Sequence, residues 1–285
     1  MQLAAQLNAE IVSVDSMAVY RGMDIGTAKP TPDEQKQVPH FLLDVVDPNH
    51  EFSLAEYLAK AHAVANEIRG RGKQVLFVGG TPLYLKSLMR GVCEGPPADV
   101  DFRRAVEEEI EQVGLEALRE RLEQVDPLSA AKLHPNDKRR MIRALEVYAT
   151  TGTPISHYQL QFEQANQLCK HVFVLSWDRG QLHDRINRRV DRMYESGLFE
   201  EVRGLLAKYG SFSSTALQGV GYREVLDVLD GNSNMDEAIE QTKARTRQFA
   251  RRQETWFRGL SESKWISVDG QTTDEELVKT MLQHS

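Results

Sequence analysis

The sequence predicts an α/β protein, a parallel sheet wrapped by helices, with an all-helical insertion domain. Three observations carry the α/β reading. Short apolar runs without clean alternation recur between stretches of helical periodicity, the pattern of strands buried between layers of helices. The span 98–168 interrupts that alternation and holds no strand pattern. The composition, 41% hydrophobic and 27% charged over 285 residues, is that of an ordinary soluble globular chain.

In chain order, the strand candidates are EIVSV (Glu10 to Val14), FLLDVV (Phe41 to Val46), VLFVGG (Val75 to Gly80), VFVLSW (Val172 to Trp177) and WISV (Trp265 to Val268). Helical spacing appears from Ser53 to Arg69 and again in Leu182, Ile186, Val190 and Met193. Within the insertion, Phe102, Val106, Ile110 and Val113 form one stripe and Leu115, Leu118, Leu122 and Val125 a second after Gly114. A third, Met141, Leu145 and Tyr148, ends near Gly152, a residue suited to a helix C-terminus. The expected division is 1–97 for the first part of the core domain and 98–168 for the insertion, bounded by GPPAD and by QFEQANQ. The span 169–285 completes the core and carries a basic C-terminal helix.

No apolar run approaches the roughly 18 residues of a membrane span, and MQLAAQLNAE lacks the features of a signal peptide. A cytoplasmic protein without membrane association is expected. Cys93 and Cys169 stand far apart with no CxxC or Cys/His cluster, which excludes a disulfide framework and speaks against a zinc module. Net charge is −7, yet the signs are segregated. Asp99 to Asp126 holds ten acidic and four basic residues, whereas Lys243 to Arg258 holds six basic residues against Glu254 alone. Further basic islands are Lys138 to Arg143 and the set Arg185, Arg188, Arg189 and Arg192. Each could be a solvated helix face; together, in an acidic chain, they point to a polyanion.

In a parallel sheet, ligands bind beyond the carboxyl ends of the strands. Asp15 follows EIVSV there and could act as a base, a metal ligand or a cap. Gly79-Gly80-Thr81-Pro82 follows VLFV; its glycines let backbone amides approach a ligand and its Thr-Pro suits a helix start, a place for anions. A purely structural turn is the alternative.

The ordered set SVDSMAVYRGMDIGTAKP, VPHFLLDVVDP, VGGTPLYLKSL, HPNDKRRMIRALEVY, RINRRVDRMYESG, GVGYRE and RQFARRQETWFR resembles the bacterial tRNA dimethylallyltransferases, a family also called tRNA isopentenyltransferases. The resemblance spans essentially the whole chain. It implies transfer of the dimethylallyl group of dimethylallyl diphosphate to the exocyclic amine of the adenosine 3′ of the tRNA anticodon, with Mg²⁺. It also implies a nucleotide-binding fold of the P-loop (ATP-binding) kind, with the insertion closing over the anticodon loop. Asp15 matches the family's general base and Thr81 a catalytic threonine contacting the diphosphate. Arg189 matches a diphosphate-binding arginine. Asp15, Ser16, Met17 and Ala18 match a tRNA-contact segment, as do Arg139, Arg140, Met141, Ile142 and Arg143, the single position Arg103, and Gln218, Gly219, Val220, Gly221, Tyr222 and Arg223. Metal ligands are not assigned, and a monomer is expected.

One departure stands out. The family pattern begins with a strand and GPTxxGKT, and this chain has neither; MQLAAQLNAEIVSVDS aligns with the second half of the following helix. Gly70-Arg71-Gly72-Lys73 lacks the required spacing and precedes a strand. The expectation is an upstream phosphate loop encoded before Met1, with exposed strand edges and little transfer by the 285-residue form. A non-catalytic RNA-binding relative is the rival reading, disfavoured by intact Asp15, Thr81 and Arg189. A nucleoside kinase or adenylate prenyltransferase is disfavoured by the insertion and the basic islands.

Overall fold

The computed structural model describes residues 1–91, 95–160 and 171–284. Both cysteines and the polar stretch QFEQANQ lie outside the described residues. Two compact units emerge: Met1–Ser87 with Cys169–Ser285, and Leu88–Leu168.

The first unit begins with α1 (Gln2–Gln6) and β1 (Ala9–Ser13), followed by α2 (Pro32–Gln37), β2 (His40–Phe41), α3 (Leu54–Gly70), β3 (Gln74–Val78) and the start of α4 (Pro82–Arg90). β1 lies between β2 and β3, parallel to both. All five residues of β1 are buried, as expected of a central strand covered on both faces. Ser53 caps α3 in a capping box with Glu56, so the chain turns into that helix where the sequence pattern places it.

FLLDVV is not a strand over its length. Only His40–Phe41 pairs with β1; Leu42 and Asp44 then take positive φ, 63° and 54°. The remaining residues turn to a different partner: Val45 N–H donates to Val19 O at 2.7 Å and Arg21 N–H to Val46 O at 2.8 Å. Lys29 Nζ, almost fully buried, holds the Asp44 carboxylate at 2.6 Å and the Tyr20 carbonyl at 2.6 Å. An apolar run expected to extend the sheet instead braces the segment after Asp15.

Gly70 to Lys73 is the turn into β3, with Gly72 at φ 73°. Its cations reach back to buried Glu10, Arg71 at 2.5 Å and Lys73 at 2.9 Å. Burial raises the Glu10 pKa, but these two partners outweigh it and hold the carboxyl below its ordinary value. This basic turn is therefore structural.

After the second unit the chain resumes with β4 (Val172–Trp177), preceding α9 (Arg179–Glu195), α10 (Leu198–Tyr209), a 3₁₀ turn at Ala216–Gln218, α11 (Tyr222–Leu229), α12 (Met235–Arg258), β5 (Ser263–Val268) and α13 (Asp274–Gln283). β4 and β5 pair in parallel as a second sheet. Among the described residues no ladder joins it to the first. β3, β4 and β5 are consequently not buried on both faces: Val78 is 48% exposed and Leu175 45%. A strand with a neighbour on one side only leaves part of its surface uncovered.

The second unit is helical as expected: α5 (Val100–Val125), α6 (Pro127–Lys132), α7 (Lys138–Thr151) and α8 (Ile155–Leu160) follow the end of α4. Gly114 interrupts α5 with non-helical angles, φ 84° and ψ 168°. The core joins Val106, Leu118 and Leu122 of α5 to Met141, Ile142 and Leu145 of α7. Val113 and Tyr148, expected on the apolar stripes, are exposed, because the kink and the end of α7 carry them off the packed face.

A buried charge ties α5 to α7. Glu146 is fully buried; Arg103 grips it through Nε and Nη2 at 2.8 Å each, Arg143 at 2.5 Å, and the Asp99 amide at 2.7 Å. Burial raises the Glu146 pKa, yet the Arg103 and Arg143 bonds more than offset it, so the carboxyl stays below its ordinary 4.5. A depressed carboxyl contributes stability above its unfolded pKa and loses it as pH falls through the folded one. Urea unfolding of Glu146→Ala should show a loss of about 3 kcal/mol at neutral pH. The deficit should shrink as pH falls below 4.5. An equal deficit at acid and neutral pH would show that packing, not charge, is what the substitution removes.

Candidate functional site

The parallel pairing of β1 and β3 aligns Ser13 with Val78, so the two chains leave the sheet side by side. Val14 N–H still donates to Val78 O at 2.7 Å, and Thr81 N–H returns a bond to Val14 O at 3.0 Å. Gly79 makes this crossing possible. A Cβ there would fall inside the Val14 carbonyl, so the turn needs a residue without a side chain.

Beyond the crossing, the hydroxyl of Thr81 accepts the Ser16 amide at 3.0 Å and donates to Ser16 Oγ at 3.3 Å. Asp15 Oδ1 accepts the amides of Met17 at 2.7 Å and Ala18 at 3.2 Å. These two bonds fix the carboxylate in an Asx-type turn. Oδ2 has no hydrogen-bond partner among the described residues. The arrangement leaves one acceptor oxygen of a partly buried carboxylate available beside a hydroxyl pair.

A stacked pair lies under the site. Tyr84, three residues after Thr81, stacks on Tyr57 at 3.9 Å, and the Tyr57 hydroxyl donates to Ser13 O at 2.9 Å. Burial, then the neighbouring Tyr20 and Asp15, push the Tyr84 phenol up, so it stays protonated at physiological pH.

Gln253 closes the turn, a role that no local sequence pattern marks. Its amide donates to Gly80 O, and Lys86 sits 5.9 Å from the Trp256 ring one turn further along α12. The same helix grips α9. Lys243 pairs with Asp191 at 2.7 Å, Arg247 bonds Asn187 at 2.6 Å, and Tyr194 and Thr242 share a hydroxyl bond at 2.9 Å. Arg245 holds buried Glu224 of α11 at 2.6 Å. Half of the cations in the C-terminal basic cluster therefore brace the unit, while Arg251, Arg252 and Arg258 are exposed. The sequence could have flagged this: Lys243 and Arg247 are four residues apart on one helical face, the same spacing as Asn187 and Asp191 on α9.

Arg189 is exposed on α9 and has no hydrogen bond to Asp15, Ser16 or Thr81. Its link to the turn runs through α12, which holds both. In the segment 218–223, Gln218 and Arg223 are exposed and Val220 half-buried, while Gly219, Gly221 and Tyr222 are buried. The Tyr222 hydroxyl donates to Glu201 at 2.6 Å, and its ring packs on Gly26 so tightly that a Cβ there would clash. Glu201 in turn accepts the Asp24 and Ile25 amides at 3.1 and 2.8 Å. Tyr222 is a packing residue for the segment that follows Asp15; Ser16 and Met17 are half-buried and Ala18 buried.

Within the insertion unit, Arg139 and Arg140 are exposed on α7, and Arg140 caps back to Asp137 at 2.9 Å. Met141 and Ile142 are core residues, 1% and 3% exposed, so they anchor the helix whose arginines face solvent. Arg103 and Arg143 are occupied by Glu146.

The sequence profile of the IPP transferase family matches residues 18–260. A tRNA dimethylallyltransferase of Rhodopirellula baltica is 50% identical over 295 residues, spanning 99% of this chain and 88% of its own. The solved full-length tRNA isopentenylpyrophosphate transferase of Bacillus halodurans is 39% identical, with a TM-score of 0.69 over 99% of this chain and 90% of that one. A solved eukaryotic dimethylallyltransferase acting on tRNA is 27% identical, with a TM-score of 0.79 over 99% of this chain and 72% of that one.

Gly79→Ala should cost about 1–3 kcal/mol of stability in denaturant unfolding, because the added methyl meets backbone. Gly80→Ala should cost less, since the group it meets is the end of the flexible Gln253 side chain. Equal losses would mean that the crossing of the two strand exits is not as rigid as its hydrogen bonds indicate.

Proposed function

The chain belongs to the IPP transferase family, and from that premise we propose that it transfers a dimethylallyl group from dimethylallyl diphosphate to tRNA, at the exocyclic amine of the adenosine 3′ of the anticodon. The observation that carries this reading is the Asp15 carboxylate held beside the Ser16–Thr81 hydroxyl pair at two adjoining strand exits.

The chemistry suits those groups. An adenine exocyclic amine is a weak nucleophile because its lone pair is delocalised into the ring. As nitrogen bonds to the allylic carbon, the carbon–oxygen bond to diphosphate breaks and the amine must lose a proton. Asp15 Oδ2 takes that proton, while Oδ1 stays bound to two backbone amides that keep the carboxylate aimed. Thr81 offers its hydroxyl to the leaving oxygen. Arg189, with no partner among the described residues that would have to be displaced, binds the diphosphate as its charge grows. The diphosphate takes the place of the ATP-type phosphate that the fold class implies.

The oxygen donors of Asp15, Ser16 and Thr81 suit Mg²⁺. No group of three His, Cys, Asp or Glu side chains among the described residues forms a ready metal cage, so the ion would be held by a hydroxyl together with diphosphate oxygens, as Mg²⁺ commonly is. It would neutralise charge on the leaving group. Exposed Arg139, Arg140, Arg223, Arg251 and Arg252 supply cations for tRNA phosphates. No helix among the described residues is long and apolar enough to cross a membrane. The reading extends to a cytoplasmic setting and to a monomer, since one chain carries Asp15, Thr81 and Arg189.

In a chain extended with the family's GPTxxGKT segment, Asp15→Asn should keep tRNA affinity and lose roughly 10²- to 10⁴-fold in single-turnover transfer of labelled dimethylallyl groups. A wild-type rate in this variant would remove Asp15 from the mechanism.

Arg189→Ala should raise the dimethylallyl diphosphate requirement and slow transfer, by about a hundredfold in kcat/KM. Unchanged transfer kinetics with weakened tRNA binding would assign Arg189 to the RNA surface.

A further inference from the structure

A second cleft opens at the carboxyl ends of β4 and β5, with a volume of about 540 Å³, within the range of small-ligand sites. None of Asp15, Thr81 and Arg189 lines it. Trp177, the last residue of β4, forms one wall, and the Arg185 guanidinium lies 4.1 Å from its ring centroid. That distance is a cation–aromatic contact, which restrains a flexible arginine over the ring. Arg188, one turn further along α9, also lines the cleft; its Nε donates to the Asp184 carbonyl at 3.3 Å. Neither Arg185 nor Arg188 has an ion-pair partner among the described residues.

The opposite wall is rigid. Asp269 Oδ1 accepts the amides of Gln271 at 2.9 Å and Thr272 at 2.8 Å and the Thr272 hydroxyl at 2.8 Å, which fixes the turn after β5. The N-terminus of α9 is already occupied, since Asp178 Oδ1 accepts the Gly180 and Gln181 amides at 2.9 and 3.1 Å. An anion here must therefore be bound by arginine. Asp184 and Gln271 add polar groups able to pair with ring nitrogens and exocyclic amines.

We propose that this cleft is a binding subsite for a nucleobase and its phosphate, with the base stacked on the Trp177–Arg185 pair and the phosphate held by Arg188. Planar guanidinium and indole faces bind any base; Arg188, which is not engaged with the Trp177 ring, sets the requirement for phosphate. The ligand could be a free mononucleotide or an unpaired nucleotide of RNA, and the chemistry of the cleft is the same for both.

The test is calorimetric titration of the full 285-residue chain with 5′-AMP and with adenosine, with Arg189→Ala titrated in parallel so that binding at a phosphate site on Arg189 is told apart from binding in the cleft. AMP should bind more tightly than adenosine. Arg185→Ala should weaken both by about tenfold or more, and Arg188→Ala should weaken AMP while leaving adenosine unchanged. Titration of the same variants with an unmodified tRNA separates the two sources. AMP affinity that depends on both arginines, with tRNA affinity unchanged, identifies a free nucleotide. Loss of tRNA affinity in both variants, with no AMP binding to the unsubstituted chain, identifies an RNA nucleotide. Both side chains are exposed, so the variants should keep the unfolding midpoint of the parent. If neither substitution changes affinity for AMP or for tRNA, the proposal is wrong. Neither readout uses prenyl transfer, so failure of that activity would overturn the functional reading and leave this one standing.

Discussion

The parallel register of β1 with β3 is the constraint on which the candidate site depends. With Ser13 opposite Val78, the carboxyl ends of the two strands emerge together, and their next residues continue to exchange backbone bonds for one more step. Only because of that step does Thr81 arrive within reach of Ser16, and only then does Asp15 stand beside a hydroxyl. A one-residue slip would reverse every side chain and separate these groups. The glycine at position 79 and the buried β1 strand are thus parts of one device.

Around this crossing the unit is held by hydrogen bonds between elements distant in sequence more than by a continuous sheet. The loop Ala18 to Arg21 bonds to Val45 and Val46, Lys29 fastens the same loop, and Tyr222 with Glu201 supports it from the other side. α12 spans the unit, gripping α9 and α11 through its first half and the glycine turn through Gln253. Charge is used structurally as often as it is left free. Arg71, Lys73 and Arg245 in this unit, and Arg103 and Arg143 in the insertion unit, are all committed to buried carboxylates. Such pairs fix geometry, since each buried acid accepts bonds from only one arrangement of its neighbours.

The cations left over are therefore informative. Arg139, Arg188, Arg189, Arg223, Arg251 and Arg252 are exposed, and their exposure marks surfaces able to meet an anion in a chain whose net charge is −7. The distinction between a bracing and a free arginine decides which part of each basic island can bind, and it is drawn by the residue facing it.

Local pattern determined much of this by itself. The α/β class, the helical insertion, the capped start of α3, and the placing of Asp15 and the GGTP turn at strand exits are legible because strand, cap and turn preferences act over a few residues. So is the family, since seven ordered blocks are written in the chain. Only the tertiary structure decided that FLLDVV leaves the sheet after Phe41, that β3, β4 and β5 remain partly uncovered, that Ile142 faces the core, and that Gln253 closes the turn 173 residues away. Each of these depends on which partner a backbone amide or a side chain finds across the fold. An arginine reads the same in sequence whether a buried glutamate or open solvent lies opposite, because the difference resides in the neighbour that folding brings to it.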